Sequence, residues 1–412
     1  MTTDATDATD ATDPTGTTEA TGPSAPAAAA AHTAGGAGSA ADRRAFLRRT
    51  GAAGVLTAGA LAGGTALTGP AAAAPLPAAG PAPAAVPAHS PARPATALPD
   101  YAPVPASSHG PAVNSQGYYV GKIKGNLYWV TDSNYQAMFL STTEGVVLID
   151  APPAIGHNLP RAIAEVTRAN GRPGKVTHLV HTHSHYDHIG ASSIFGKNVT
   201  RIAHTETKRL LRALKDPDRP LPDVTFDDRY TLKVGGERLE LAHHGANHTP
   251  DNIFVHAPAY RTLMVVDVVF PGWVPFRGVS FSQDLPGSIA AHDTALRYSW
   301  DTLVSGHVGR LGTRADVRLQ QRYIADLEAS GRYVLETFDP TPFLQRYAGT
   351  GNNWAIFKHY LEAVAKEAAD PVITKYLGKL GGVDVFTPDN AYAVVTSLRL
   401  DHGVLGPFGI RP

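Results

Sequence analysis

Four side chains able to bind a metal, His183, His185, Asp187 and His188, fall within six consecutive residues directly after the apolar run Val176-Thr177-His178-Leu179-Val180. That run reads as a buried strand. Alternate residues of an extended segment leave the same side, so His183, His185 and Asp187 can share a face while His188 begins the next turn. Downstream, residues 189–195 are expected to start a helix after Gly190. A loop held between a strand and a helix keeps several ligands in register. The pattern recurs along the chain. An apolar stretch at 146–149 closes on Asp150, one at 262–266 carries Asp267 at its tip, and one at 303–305 is followed by Gly306 and His307. His248 stands just before another short strand, 253–256. Layered α/β folds gather ligand sites where strands end.

Only part of the 412 residues can form such a fold. The first hundred are mostly Ala, Pro, Gly, Thr and Asp, too poor in bulky apolar side chains to offset their ordering entropy. Within them Asp42-Arg43-Arg44-Ala45-Phe46-Leu47-Arg48, followed by a weakly apolar stretch at 51–67 and small residues at 71–74, resembles a twin-arginine export signal. The stretch is too short and too weakly hydrophobic for a stable membrane span. The expected organisation is therefore a signal region with an acidic, Ala-rich start (1–74) and a Pro/Ala-rich linker (75–110). A catalytic domain (111–312) and a mainly helical region (313–412) follow. The expected location is outside the cytoplasm, secreted or extracytoplasmic.

Lys+Arg and Asp+Glu balance at 36 each and no basic block stands out, which argues against a nucleic-acid partner and for a small-molecule substrate. The chain has no cysteine, so thiolate ligands and thiol nucleophiles are excluded. Further strands are expected at 127–131, 136–141 and 200–203, with a hairpin at 230–241 around Gly235-Gly236. Helices are expected at 157–170, 206–214, 314–338 and 354–380. Residues 383–400 read as a strand pair or a covering flap. The aromatics Tyr323, Tyr333, Phe343, Tyr347, Trp354, Phe357 and Tyr360 could wall a pocket or fill a core.

Taken in chain order, Asp150, the His183/His185/Asp187/His188 cluster, His248, Asp267 and His307 resemble the five motifs of the metallo-β-lactamase superfamily. The resemblance spans about residues 118–312 and implies an α/β fold, a four-layer αββα sandwich with a two-metal site at one edge. It implies that His183, His185 and His248 bind a first metal and Asp187, His188 and His307 a second. Asp267 would bridge the two, and Asp150 would steady the ligand loop. The all-nitrogen-and-oxygen donor set suits two zinc ions, with iron or manganese as other candidates. His181, His243 and His244 lie near ligands but outside the motifs, and a supporting role is expected of them. Tyr186 could line the substrate pocket or serve packing. The sequence itself names no substrate-binding residue and leaves oligomeric state open.

The resemblance implies a hydrolase in which solvent hydroxide shared by two metals attacks a small ester, lactone, amide or thioester, with Asp187 orienting it. A β-lactamase acting on β-lactams is the nearest alternative. The family's Cys-using β-lactamases are excluded by composition, and Asp267 is of the kind found in lactonases and glyoxalase II. Against glyoxalase II itself, Ile189-Gly190-Ala191 replaces its usual Gly-Gly ending. A small-molecule phosphodiesterase would use the same ligands. A mono-iron, sulfur dioxygenase-like oxidoreductase is the alternative from a different reaction class.

Overall fold

The computed structural model describes residues 99–409. The arginine pair and apolar stretch of the signal-like segment lie outside them. The fold is built on strands whose side chains alternate between two cores. In β3 (Gln136–Thr142) and β4 (Gly145–Ile149), Met138, Leu140, Val147 and Ile149 face one core, and Ala137, Phe139, Val146 and Leu148 face the other. Strands buried on both faces need a layer on each side.

The first sheet has seven strands in the order β1 to β7. β1 (Tyr119–Lys124), β2 (Leu127–Thr131), β3 and β4 form an antiparallel meander. β5 (Val176–Val180), β6 (Thr200–His204) and β7 (Val224–Phe226) continue it in parallel. Helix α1 (Asn158–Asn170) makes the β4–β5 crossover, and α3 (Thr205–Leu214) follows β6. The second sheet runs β12-β11-β10-β9-β8. Its members are β8 (Arg229–Val234), β9 (Glu237–His243), β10 (Ile253–Ala257), β11 (Thr262–Val265) and β12 (Thr302–Val304). Gly235 and Gly236 link β8 to β9 with φ of 55° and 81°, the positive pair a two-residue hairpin turn needs.

Leu140, Ile149, Val180 and Ile202 of the first sheet share one core with Leu241, Val255, Met264 and Val304 of the second. Leu159, Ala162 and Ile163 of α1 cover the outer face of the first sheet. Ala291 and Ala295 of α4 (Leu285–Arg297), with Trp300, cover Phe254, Leu263 and Val265 on the outer face of the second. The result is an αββα sandwich. The helical turn expected over 189–195 begins earlier: α2 spans Tyr186–Ile189, inside the ligand loop itself, and a separate 3-10 turn covers Ser192–Phe195.

Four further helices make a second apolar body: α5 (Arg314–Thr337), α6 (Thr341–Tyr347), α7 (Asn353–Tyr376) and α8 (Val383–Leu400). Helix α5 starts with a capping box in which Thr313 and Asp316 satisfy each other's backbone N–H groups. The strand pair or flap expected at 383–400 is instead α8. Its β-branched residues suggested a strand, but its buried positions, Val383, Thr387, Asn390, Ala391, Val394, Val395 and Leu398, recur at helical spacing and pack against α5 and α7. Residues 102–110 lie against the folded body: Ala102 N donates to Asp384 Oδ2 (2.6 Å) and Ser108 Oγ to Gly272 O (2.5 Å). Among the described residues no helix is long and apolar enough to cross a membrane.

Candidate metal centre

The seven ligand candidates come from four separate segments, each just past a strand or just before one. The structure gathers them into two adjoining groups, His183, His185, His248 and Asp267 in one and Asp187, His188 and His307 in the other. Within each group one donor atom per residue lies within 4.8 Å of the rest. Asp267 stands at the seam. Its Oδ2 is 3.1 Å from the Nε2 atoms of His188 and His248 and 3.4 Å from that of His183, and its Oδ1 is 2.8 Å from His307 Nε2. Asp187 Oδ2 lies 3.6 Å from His188 Nε2 and 3.7 Å from His307 Nε2.

The backbone is strained to achieve this. Asp267 has φ 62° and Asp150 φ 60°, left-handed values that non-glycine residues adopt at a cost of about 1–3 kcal/mol. Gly306, at φ 81°, precedes His307, and a Cβ there would stand 2.5 Å from Val266. Buried polar side chains hold the loops in place. Asp150 accepts hydrogen bonds from Thr182 N (2.8 Å) and Thr182 Oγ1 (2.7 Å), and that hydroxyl lies 3.1 Å from His183 Nδ1. Gln136 Nε2 reaches the carbonyls of His307, Val308 and Arg310 at 2.7–3.0 Å. Asn252 Nδ2 donates to Val266 O and to Asn247 Oδ1, which accepts from His248 N. Gln136 and Asn252 carried no signal in the sequence, because a buried amide that props a loop belongs to no ligand spacing.

The centre sets burial against charge. Burial alone would raise the Asp267 carboxyl, but His188, His248, His307 and His183 hold it well below its usual range. Burial lowers His183, and it takes His185 down to about 3. Burial also depresses His307, but Asp267 and Asp187 outweigh it and leave that ring raised. Burial pushes Asp150 up to about 8, against the two Thr182 hydrogen bonds. Ring nitrogens face one another, His188 Nε2 to His307 Nε2 and His248 Nε2 to His185 Nδ1, both at 3.0 Å. His183 Nε2 is buried with no hydrogen-bond partner, and Asp267 Oδ1 has the His307 ring nitrogen beside it at 2.8 Å. Lone pairs converging in this way without donors are what a cation answers, so these residues fit a divalent metal.

The other histidines stand apart. His181 Nε2 pairs with Ser192 Oγ (3.0 Å), His243 stacks on His204 (centroids 4.0 Å apart), and His244 meets the Tyr298 hydroxyl (2.7 Å). Tyr186, exposed, donates to Asp218 and lies under Arg219, and it does not line the cavity. A cavity of about 550 Å³ opens over the centre. Its apolar wall is Tyr135, Phe270, Trp273, Phe276, Phe281 and Phe386. None of the seven aromatics considered from the sequence is in it. Tyr323 and Tyr360 are fully buried in the helical core, and Trp354 is 85% exposed.

Residues 130–307 match the model of the Metallo-beta-lactamase superfamily, which supports a domain of that superfamily over this stretch. The chain is 25% identical over 217 residues to the 2,4-dinitroanisole O-demethylase subunit alpha of Nocardioides sp. (strain JS1661), covering 52% of this chain and 62% of that protein. It is 29% identical over 153 residues to the Metallo-beta-lactamase type 2 of Elizabethkingia meningoseptica, covering 35% of this chain and 59% of that one. It thus spans about three fifths of these curated relatives. Among solved structures, a metallo-beta-lactamase from Pontibacter korlensis aligns with a TM-score of 0.43 at 24% identity, covering 50% of this chain and 97% of that one.

Proposed function

We propose that the protein is an exported dinuclear zinc hydrolase of small esters, lactones, amides or thioesters. The observation that carries this reading is Asp267, one buried carboxylate within 3.4 Å of four histidine rings drawn from three loops. His183, His185 and His248 would hold one ion, Asp187, His188 and His307 a second, with Asp267 between them. Bound zinc would supply Lewis-acid polarisation of the scissile carbonyl and lower the pKa of water to about 7.

The chain's own groups do the rest. Asp187 is 43% exposed and lines the cavity, where its carboxylate can orient the attacking water and hold its proton. Burial, with Asp187 and Asp267 nearby, raises the Tyr135 hydroxyl and keeps it protonated, so it can donate to an oxyanion developing beside His307. Phe270 stacks on His307 (centroids 5.8 Å apart) and excludes water from that side. Export rests on the Arg43-Arg44 segment of the sequence.

The test is elemental analysis of the purified protein together with a panel of esters, lactones, β-lactams and phosphodiesters. The panel includes 2,4-dinitroanisole because one relative's name specifies it. Two equivalents of zinc with ester or lactone turnover is the expected result. One equivalent of iron with oxygen uptake would replace this reading by the dioxygenase-like one.

A further inference from the structure

Among the described residues no lysine or arginine lines the cavity; its charged groups there are the carboxylates and histidines of the candidate metal centre. The opposite wall is built around an unusual turn. Gly278, Val279, Ser280 and Phe281 all have positive φ, between 51° and 63°, forming a left-handed coil within residues 277–281. For L-residues that conformation costs about 1–2 kcal/mol each, and most for β-branched Val279. Such strain persists only where the surroundings over-determine it.

Here the holder is Asn390 of α8, fully buried. Its Oδ1 accepts from Val279 N (2.7 Å), and its Nδ2 donates to Pro275 O (2.9 Å) and to the Tyr323 hydroxyl (3.2 Å). Ser280 N donates to Phe276 O at 2.7 Å, closing the coil on itself. Beyond it, Gln283 N donates to His248 O at 2.9 Å, which fixes the turn against a candidate ligand's own backbone. The coil leaves Phe276 47% and Phe281 61% exposed, with Phe276 against Phe386 (4.6 Å) and Phe281 (5.5 Å). Large exposed aromatics on a strained, clamped segment at the mouth of a cavity are placed for contact with a ligand.

We infer that this left-handed turn is the specificity element of the site: it selects neutral substrates carrying an aryl or extended acyl group, and Asn390 is the residue that positions it. The inference deepens the hydrolase reading and rests on it for the chemistry, but the apolar selection belongs to the wall alone. In the metal-stripped protein a ligand carboxylate would meet no lysine or arginine of the described residues in the cavity and would lie against apolar rings, which disfavours it.

The test is calorimetric binding to the full chain, metal-loaded and metal-stripped, of three non-hydrolysable ligands. They are 4-nitrophenyl hexyl ether, the anionic 4-hexyloxybenzoate, and the short neutral 4-nitroanisole. To the stripped protein the hexyl ether should bind at least about tenfold tighter than 4-nitroanisole, through partial burial of its added methylenes, and about tenfold tighter than 4-hexyloxybenzoate, whose carboxylate would be desolvated against apolar rings. The double variant Phe276→Ala/Phe281→Ala should abolish that preference. Asn390→Ala should weaken hexyl ether binding while leaving 4-nitroanisole binding and zinc content unchanged, a split that general unfolding would not give. Equal affinity for the three ligands, or a preference that survives in the double variant, overturns the inference. Should Asn390→Ala fail to fold, the double variant still decides, because both its side chains are exposed. Hydrolysis of 4-nitrophenyl esters, measured separately, bears on the hydrolase reading: its absence would sink that reading and leave the binding result to stand or fall by itself.

Discussion

The strand-tip centre and the wall facing it are built on opposite principles. In the first, polar groups are crowded together: five imidazoles and two carboxylates from four segments, with ring nitrogens facing one another. In the second, aromatics from three stretches, Phe270 to Phe281, Gly381 to Phe386 and Tyr135, surround open space, and the strain lies in the backbone. The difference teaches a division of labour. Ligand geometry must be fixed to a fraction of an ångström, so it comes from loops pinned at both ends by strands and propped by buried amides. Substrate fit tolerates more variation, so it comes from elements added outside the sandwich, held to it by a few hydrogen bonds such as those of Asn390.

The largest effect that would break this division is at the seam. Asp267→Ala should cost about three orders of magnitude or more in kcat/KM and remove metal from both groups, read by elemental analysis and steady-state kinetics. His183→Ala, Asp187→Ala and His307→Ala should each abolish turnover while the circular dichroism spectrum stays native. Full activity in any of them would remove that residue from the centre. Next comes the support beneath His183. Asp150→Ala leaves Thr182 N–H and its hydroxyl buried without an acceptor. That should cost about 1–3 kcal/mol of stability in denaturant titration, and about 10- to 100-fold in zinc affinity measured by chelator competition.

On the other side of the comparison, Leu398→Ala in α8 opens a cavity in the helical core, well away from the centre. A loss of about 3 kcal/mol in stability is expected, with zinc stoichiometry unchanged at 25 °C. Loss of metal along with stability would show that the two regions are one cooperative unit and not separable layers.

The same contrast governs what the sequence reveals. The sandwich was legible because its strands are short apolar or alternating runs, several of which close on His or Asp. Every strand expected from 127 to 305 is present within about two residues. His183, His185, Asp187 and His188 were legible because they cluster at short spacing, whereas His248, Asp267 and His307 came from the resemblance to the superfamily; the structure brings all seven together. Gln136 and Asn252 were not, since Gln136 bonds carbonyls 171–174 residues away and Asn252 works across 14 residues to Val266 and through the amide of Asn247. Helix α8 was misread because local β-propensity in Val383-Asp384-Val385-Phe386 and Ala393-Val394-Val395-Thr396 masked a buried stripe at helical spacing, and packing on α5 and α7 decided the outcome. The left-handed turn was invisible for a simpler reason. Only Gly278 advertises positive φ, and the three residues after it adopt it because Asn390, more than a hundred positions later, bonds Val279.

The smallest expected effect lies at the joint between the two regions. Arg310, three residues past His307, makes a two-point pair with Asp316 in the first turn of α5, Nη2 to Oδ1 at 2.6 Å and Nη1 to Oδ2 at 3.1 Å. Asp316 also accepts from Thr313 N and Thr313 Oγ1. Burial works to raise this carboxyl, but Arg310 and Thr313 outweigh it and leave it lowered. A folded-state value below the unfolded one, about 3.9, means that its contribution is complete above that pH and disappears as pH falls through the folded value. Asp316→Asn should therefore lower stability by about 1 kcal/mol at pH 7, through the lost pair and the weakened cap. The gap from the native protein should close as pH drops below about 4. Denaturant titrations of metal-stripped protein at a series of pH values would measure it, since protonation of the free histidines affects both proteins alike. A gap that stays constant down to pH 2 would mean that the carboxylate's charge is not what joins the loop of His307 to the helical layer.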